Sequence, residues 1–196
     1  MQQNFRFFIL LTLSLIIGKF CLLSQDGTGL TIEDMQKLTA PGRMHLVLSQ
    51  FEGIWKQSIV MKSDEEPINA RAKTSNEMIF GGRFLEFNSE STIYEQKFKS
   101  RQIIGYDPRN SKYFLFRIEE MGTFPIYAEG IYDSTLKKLT FYGEEPQLGK
   151  SDKIRFKIEI CKERDNKYTQ SEFIILGSKE FKKIETMSIL EPKPEE

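Results

Sequence analysis

The chain has 196 residues, of which 28 are basic and 28 acidic, so its formal net charge is zero. This length predicts a single domain with a buried core, and the balanced charge gives no reason to expect a nucleic-acid partner or attraction to an acidic membrane surface. The 16 Phe and 7 Tyr residues compensate for a modest hydrophobic fraction of 39% and favour strands over helices. Composition therefore favours an all-β fold.

An export signal is predicted over residues 1–25. Arg6 supplies a positive charge, and residues 7–17 form an apolar run of eleven, shorter than a membrane-spanning helix needs. The mature chain is expected to begin near Gln25, without a stable membrane span, as a soluble periplasmic or secreted protein. Two alternatives stay open, namely lipid attachment at Cys21 and retention of the segment as an uncleaved anchor.

Short helices are predicted at about residues 31–49. Thr31 and Asp34 have the spacing of a helix-capping pair, and apolar residues recur at helical spacing until Pro41 and Gly42 interrupt the pattern. We expect this segment to close one end of a barrel and to deliver the chain to the first strand.

Ten strands are predicted after this segment, joined by short polar or glycine-containing turns such as Gly81–Gly82. Their ranges are 51–62, 69–80, 83–91, 97–106, 113–121, 126–133, 138–144, 153–162, 169–176 and 181–190. Consecutive hairpins without a helical crossover predict an antiparallel meander, and closing it into an up-and-down barrel removes both sheet edges. A barrel of about ten strands has room for an interior cavity.

The strand at 153–162 has the clearest alternation. Ile154, Phe156, Ile158 and Ile160 occupy one face, and charged residues separate them, so we expect these four side chains to be buried. Cys161 lies on the opposite face and would be the only cysteine of a processed chain, which predicts a structural thiol without a disulfide partner.

Several stretches resemble a known family. Gly53-Ile54-Trp55 resembles the G-x-W signature of calycin barrels, the superfamily of lipocalins and fatty-acid-binding proteins. The ordered set resembles the bacterial domain-of-unknown-function family 1579 over about residues 40–190, and consists of FEGIW at 51–55, GGRFL at 81–85, IGYD at 104–107, MGT at 121–123, EGIYD at 129–133 and LTF at 139–141. His45 also lies where that family often carries a histidine.

The resemblance implies a calycin-like barrel, assigned here to a domain over residues 26–190, and no established activity. The Pro- and Glu-rich composition of residues 191–196 predicts a disordered tail. Gly53, Trp55 and His45 are then structural, with Trp55 facing the interior at the closed end. Family members often carry an arginine on the last strand that this chain lacks. If that arginine covers the tryptophan, either Lys182 or Lys183 replaces it here, or no residue does.

Five residues are candidate ligand contacts. Arg83 and Arg117 could pair with a ligand carboxylate if they face inward, as in the fatty-acid-binding branch. Glu129 is a candidate cavity carboxylate, because the neighbouring Gly130 indicates a bend or a close approach to the sheet. Tyr106 and Tyr132 are candidates for proton transfer in an enzyme. For each arginine and for Glu129, a purely structural role stays open.

No cofactor and no metal are expected. His45 is the only histidine, which excludes a multi-histidine metal site. One calycin branch binds haem through a single histidine, but that ligand is expected on a cavity-facing strand, whereas His45 precedes the first strand.

Three functions remain open. The preferred hypothesis is an exported, non-catalytic barrel that binds a small, largely apolar ligand. The alternatives are a cell-envelope interaction protein with a filled barrel, and an enzyme acting on a lipid-like substrate through a cavity carboxylate or tyrosine. The sequence does not determine the oligomeric state.

Overall fold

The computed structural model of the chain describes residues 29, 31–147, 149 and 151–192. The predicted signal segment with Cys21 lies outside the described residues, as do residues 193–196 of the predicted tail. The prediction that the tail starts at residue 191 needs correction, because Glu191 pairs with Lys56 and Lys73 at 3.2 and 2.7 Å and its backbone N–H donates to the Ile54 carbonyl. The elements are two helices and ten strands: α1 (Ile32–Leu38), α2 (Arg43–Ser49), β1 (Gly53–Met61), β2 (Ile68–Ile79), β3 (Phe84–Ile93), β4 (Gln96–Asp107), β5 (Lys112–Glu119), β6 (Ile126–Asp133), β7 (Lys138–Pro146), β8 (Lys153–Arg164), β9 (Lys167–Leu176) and β10 (Lys179–Leu190).

The chain divides into two compact units, residues 1–40 and 41–196. Helix α1 belongs to the first unit. Thr31 caps it, since its hydroxyl accepts from the Asp34 backbone N–H while the Asp34 carboxylate accepts from the Thr31 backbone N–H. The predicted capping pair is confirmed.

The second unit is built around a closed antiparallel barrel. Each strand pairs with the next along the chain, and β1 pairs with β10, for example at Trp55 opposite Leu190. No sheet edge is left unpaired within this barrel, because closure joins the first strand to the last. The predicted all-β, ten-stranded up-and-down barrel is confirmed.

Strand alternation fills the barrel as predicted for β8. Ile158 and Ile160 are fully buried, Phe156 is buried and Ile154 is half-buried, while Cys161 lies half-buried on the outer face. The burial prediction is confirmed for Phe156, Ile158 and Ile160, whereas Ile154 is less covered because it lies near the end of the barrel opposite α2.

The half of the barrel beneath α2 has a closed apolar core. Helix α2 contributes Leu48, and the strands contribute most of the remaining large side chains. The fully buried members are Leu48, Phe51, Trp55, Leu85, Ile104, Tyr113, Leu115, Leu139, Phe141, Ile158, Ile160 and Tyr168. This packing closes one end of the barrel, so any accessible interior space lies at the other end.

Two local predictions need correction. Strand β1 begins at Gly53, because Phe51 still belongs to the turn after α2. The β2–β3 connection is a loop of four residues at 80–83, since Ile79 pairs with Phe84. Gly81 and Gly82 both have positive φ angles, of 65° and 81°, which supplies the tight reversal that their sequence predicted.

Candidate functional site in the open half of the barrel

A cavity of about 260 Å³ occupies the open half of the barrel. Apolar side chains near the strand ends form its rim, among them Ile59, Met61, Ile93, Phe98 and Ile184. Polar side chains line its deeper part, among them Gln57, Gln102, Tyr168, Gln170 and Thr186. Alternation places these groups inside because they share the inward face of their strands with core residues of the closed half. The cavity therefore has an apolar entrance and a polar floor.

An ion pair crosses the interior of the barrel. Arg117 on β5 donates through Nη1 and Nη2 to the two carboxylate oxygens of Glu172 on β9, at 2.6 and 2.9 Å. These strands are not neighbours in the sheet, so the pair spans the lumen. Gln170 also donates to Glu172, at 2.9 Å. The side chains of Arg117 and Glu172 are only 13% and 17% exposed. Because little water reaches them, each charge is stabilised mainly by its partner.

The electrostatics of this pair follow from burial and proximity. Burial acts to raise the pKa of Glu172, but the Arg117 guanidinium holds it below its usual value. Burial likewise acts to lower the pKa of Arg117, and Glu172 raises it above the ordinary arginine value. Both groups are therefore charged at neutral pH.

Two further carboxylates lie near Arg117. Glu119 Oε2 lies 3.7 Å from Arg117 Nε, and that Nε is buried without a hydrogen bond to any described residue. Burial raises the pKa of Glu145, and the attraction of Arg117 is opposed by repulsion from Glu119 and Glu172. The open half of the barrel therefore holds three carboxylates around one guanidinium.

A hydrogen-bond network separates the cavity from the apolar core. Gln57 donates to the Tyr168 hydroxyl at 3.3 Å and to Ser188 Oγ at 3.1 Å. Asn76 donates to the Phe51 carbonyl at 2.9 Å and to the same tyrosine hydroxyl at 3.4 Å. Burial raises the pKa of Tyr168. The network satisfies buried polar groups and fixes the floor of the cavity.

Arg117 is the only one of the five predicted ligand contacts that lines this cavity. Arg83 lies in the β2–β3 loop and donates to the Phe80 carbonyl at 3.1 Å. Glu129 lies on the outer face of β6, where its carboxylate accepts from Lys112 Nζ at 2.7 Å. The barrel wall therefore separates Glu129 from the cavity, and a cavity role for it is wrong.

The two tyrosines lie in the closed half. Tyr106 contacts His45 edge to face, with 6.0 Å between ring centroids, and Tyr113 at 5.0 Å. Tyr132 packs against the same core. Neither lines the cavity, because each faces inward on the portion of its strand that packs against the apolar core. Gln102 on β4 and Gln170 and Glu172 on β9 do line the cavity, and the sequence did not predict them as site residues.

The three predicted structural residues lie at the closed end. Trp55 is fully buried and donates through its indole N–H to the Phe51 carbonyl at 3.0 Å. Gly53 has φ of +125°, and a Cβ there would lie 2.6 Å from the side chain of Leu190. His45 Nδ1 accepts from the Gly42 backbone N–H at 3.0 Å and caps α2. Burial lowers the pKa of His45.

Lysine 162 covers the tryptophan. Lys162 Nζ lies 4.6 Å from the ring centroid of Trp55 and donates to the backbone carbonyls of Gln50 and Asp165 at 2.6 and 2.9 Å. Burial lowers its pKa. Lys182 pairs with Glu185, and neither it nor Lys183 lies over the Trp55 ring, so neither candidate on the last strand replaces the arginine. The cation comes from β8 instead.

A larger depression of about 640 Å³ lies on the outside of β3–β5. Outward-facing residues such as Asn88, Arg101, Phe116 and Ile118 line it, together with the β5–β6 loop. It is more open than the interior cavity, and it holds no buried charged pair. We therefore take the interior cavity as the candidate site.

The described residues contain no group of three or more His, Cys, Asp or Glu side chains placed to hold a metal ion. Within the same residues, no helix combines the length and the apolar character that a membrane crossing requires.

Comparison with known proteins agrees with this architecture. The profile of a family described as "Protein of unknown function (DUF1579)" matches residues 40–189. The chain belongs to this family. No curated protein matches it.

Two solved structures share the fold of this family member. Rv2717c from M. tuberculosis is 12% identical, with a TM-score of 0.56, and the match covers 77% of this chain and 99% of that one. The S-type phycobiliprotein lyase CPES from Guillardia theta is 8% identical, with a TM-score of 0.55 and coverage of 81% and 98%. Both are calycin-like barrels, so the predicted resemblance is confirmed at the level of family and fold.

Proposed function

We propose that this protein is a non-catalytic binding protein that holds a small, largely apolar organic molecule in the open half of its barrel. The observation that carries the proposal is the interior cavity of about 260 Å³. Its apolar rim offers surface that a ligand can desolvate, and its polar floor offers a few fixed groups that can orient one. A barrel filled from end to end by side chains would offer neither.

The positions of the candidate catalytic residues favour binding over catalysis. The predicted proton-transfer residues Tyr106 and Tyr132 pack in the closed half, and Glu129 lies outside the barrel. Arg117 and Glu172 are committed to each other. One solved barrel of the same fold is named as a phycobiliprotein lyase, so the enzymatic alternative is tested alongside binding.

An uncharged dye tests the binding site directly. N-phenyl-1-naphthylamine fluoresces more intensely in apolar surroundings, and we expect saturable enhancement with the wild-type protein. Ala72 lines the cavity, so Ala72→Phe should fill part of it and remove the enhancement. Ser75 lies exposed on the opposite face of the same strand, so Ser75→Phe adds the same ring outside and should bind dye like the wild type.

Either of two results would count against the proposal. The first is absence of saturable dye binding. The second is equal binding by wild type and a folded Ala72→Phe variant, which would place the dye elsewhere. Turnover of a lipid-like ester or amide that Ala72→Phe abolishes would replace the binding protein by an enzyme.

Export is a further part of the proposal. It is supported by the charged and apolar pattern of residues 1–25. Fractionation of the native host and N-terminal sequencing test it, with a mature start near Gln25 in the soluble exported fraction as the expected result. An intact N-terminus in the cytosol, or a lipid-modified Cys21, would contradict it.

A further inference from the structure

The charge inside the cavity indicates which class of ligand it takes, and this inference rests on the proposed binding function. Among the described residues on the inward faces of the strands in the open half, Arg117 is the one cation and Glu119, Glu145 and Glu172 are carboxylates. Lys99 also borders the cavity, but it lies on the outward face of β4 and its ammonium group is 3.7 Å from Glu90. Three carboxylates around one guanidinium leave a formal excess of two negative charges. The interior is therefore acidic although the whole chain is neutral.

The terminal nitrogens of Arg117 are not free to receive a ligand carboxylate. Both of its terminal nitrogens donate to Glu172 in a bidentate pair, which is the geometry that a bound carboxylate would otherwise adopt. A carboxylate ligand would have to displace Glu172 or approach Glu119 and Glu145. Displacing Glu172 would leave a buried charge without its partner. An anionic head group is disfavoured on both counts.

Gln102 gives a second, independent indication that a polar group belongs here. It is only 5% exposed, lines the cavity and lies directly opposite Arg117 in the β4–β5 register. Its side-chain amide makes no hydrogen bond to any described residue, and since it is not among the fully enclosed unpaired groups, it faces the cavity, where a ligand can reach it. The neighbouring inward residue pair, Ser100 and Glu119, continues the polar surface toward the opening. The amide oxygen of Gln102 and the Glu119 carboxylate can both accept from one donor group.

We propose that the cavity binds an organic cation, a primary or secondary ammonium group joined to an apolar chain or ring. The ammonium group donates to Glu119 and Gln102 and reduces the negative excess. The apolar portion lies against the rim formed by Ile59, Met61 and Ile184. An ammonium group has donors only, and the Glu119 carboxylate and the Gln102 amide oxygen are acceptors that can receive them. The unpaired donor of the site, Arg117 Nε, lies 3.7 Å from the same Glu119 carboxylate.

Three probes with the same eight-carbon tail separate head-group charge from tail burial. Calorimetric titration with octylamine, octan-1-ol and octanoate should give affinities in that order. We expect octylamine to bind about tenfold more tightly than octan-1-ol, because a partly screened carboxylate pair is worth on the order of one decade in affinity. Octanoate should bind more weakly than the alcohol, and added salt should reduce the preference for the amine.

Two variants locate the charge preference. Glu119→Gln should lower octylamine affinity about tenfold and leave octan-1-ol affinity unchanged, since it removes charge and keeps the shape. Glu129→Gln removes a carboxylate from the outer face and should change neither. Glu145→Gln is a second inward variant for the case in which Glu119→Gln does not fold, and far-UV circular dichroism checks folding.

Two results would overturn the proposal that the ligand is an organic cation and would leave the binding function in place. One is octanoate that binds as tightly as octylamine, and the other is an unchanged preference for octylamine in the folded Glu119→Gln and Glu145→Gln variants. Absence of binding by all three probes and by the uncharged dye would remove the binding function, and this inference with it.

Discussion

The ion pair across the lumen should stabilise the barrel only as a pair. Arg117→Met leaves Glu172 as a charge that is 17% exposed and has lost two short hydrogen bonds, and we expect the free energy of unfolding to fall by about 3–5 kcal/mol. Glu172→Met should cost a similar amount because it strands the guanidinium. The double variant should lie within about 1 kcal/mol of the wild type or exceed it, since apolar side chains of similar volume avoid desolvating two charges.

Urea denaturation at pH 7, with all four proteins compared at a constant m-value, measures this coupling. The exposed pair of Lys112 and Glu129 is the control, because its 2.7 Å geometry is similar while its side chains are 48% and 39% exposed. We expect much weaker coupling there. Single variants at Arg117 and Glu172 that change stability by less than about 0.5 kcal/mol would refute the reasoning, because buried partners cannot be separated at so small a cost.

Trp55→Ala should lower the free energy of unfolding by about 3–5 kcal/mol and the melting temperature by about 10 °C. Dye affinity should stay nearly unchanged, because Trp55 lies in the closed half of the barrel. Loss of dye binding at unchanged stability would instead place Trp55 at the ligand site. Lys162→Met should lower the free energy of unfolding by about 2 kcal/mol, because two backbone carbonyls and the indole face lose their cation. Lys56→Met, at an exposed lysine, is the control and should change stability little. Equal melting curves for the two variants would refute this prediction. Gly53→Ala should cost about 1–3 kcal/mol, since φ is +125° and its Cβ would lie 2.6 Å from a leucine of β10; wild-type stability would argue against that backbone. The pKa of Glu172 is lower in the folded protein than in the unfolded chain, where it is about 4.3, so its ionisation stabilises the fold above that pH. This contribution is lost as the pH falls through the folded pKa, and Glu172→Gln should therefore flatten the acid limb of a plot of unfolding free energy against pH. Parallel plots for the variant and the wild type would contradict the lowered pKa of Glu172.

The sequence predicted the fold well because the barrel repeats one local rule. Alternation in β8 placed Ile158 and Ile160 inside, and short turns between all strands left closure as the way to remove the sheet edges. Strand ends were less predictable. Gly81–Gly82 fits a two-residue turn, but pairing of Ile79 with Phe84 leaves four residues in the loop.

The candidate site was harder to predict because it depends on contacts between distant strands. Arg117 and Glu172 are 55 residues apart, and alternation alone does not indicate which inward side chains meet across a lumen. Glu129 was misplaced because β6 carries apolar residues on both faces, with Tyr127 and Ile131 exposed outside. The face of that strand was therefore ambiguous.

The cation over Trp55 was sought on the wrong strand for a similar reason. The family pattern directed attention to the last strand, but Lys162 is near the end of β8 and reaches the ring because alternation places it on the inward face. Ile158 and Ile160 lie on the same face, so the alternation that predicted their burial also predicts that Lys162 faces inward.

Native mass spectrometry of the protein purified from its own host tests the central claim most directly. We expect a small non-covalent mass increment that disappears on denaturation, is absent from Ala72→Phe and persists in Ser75→Phe. A wild-type spectrum with only the polypeptide mass, from protein that also fails to bind the uncharged dye or octylamine, would contradict the claim that the open half of the barrel is a ligand site.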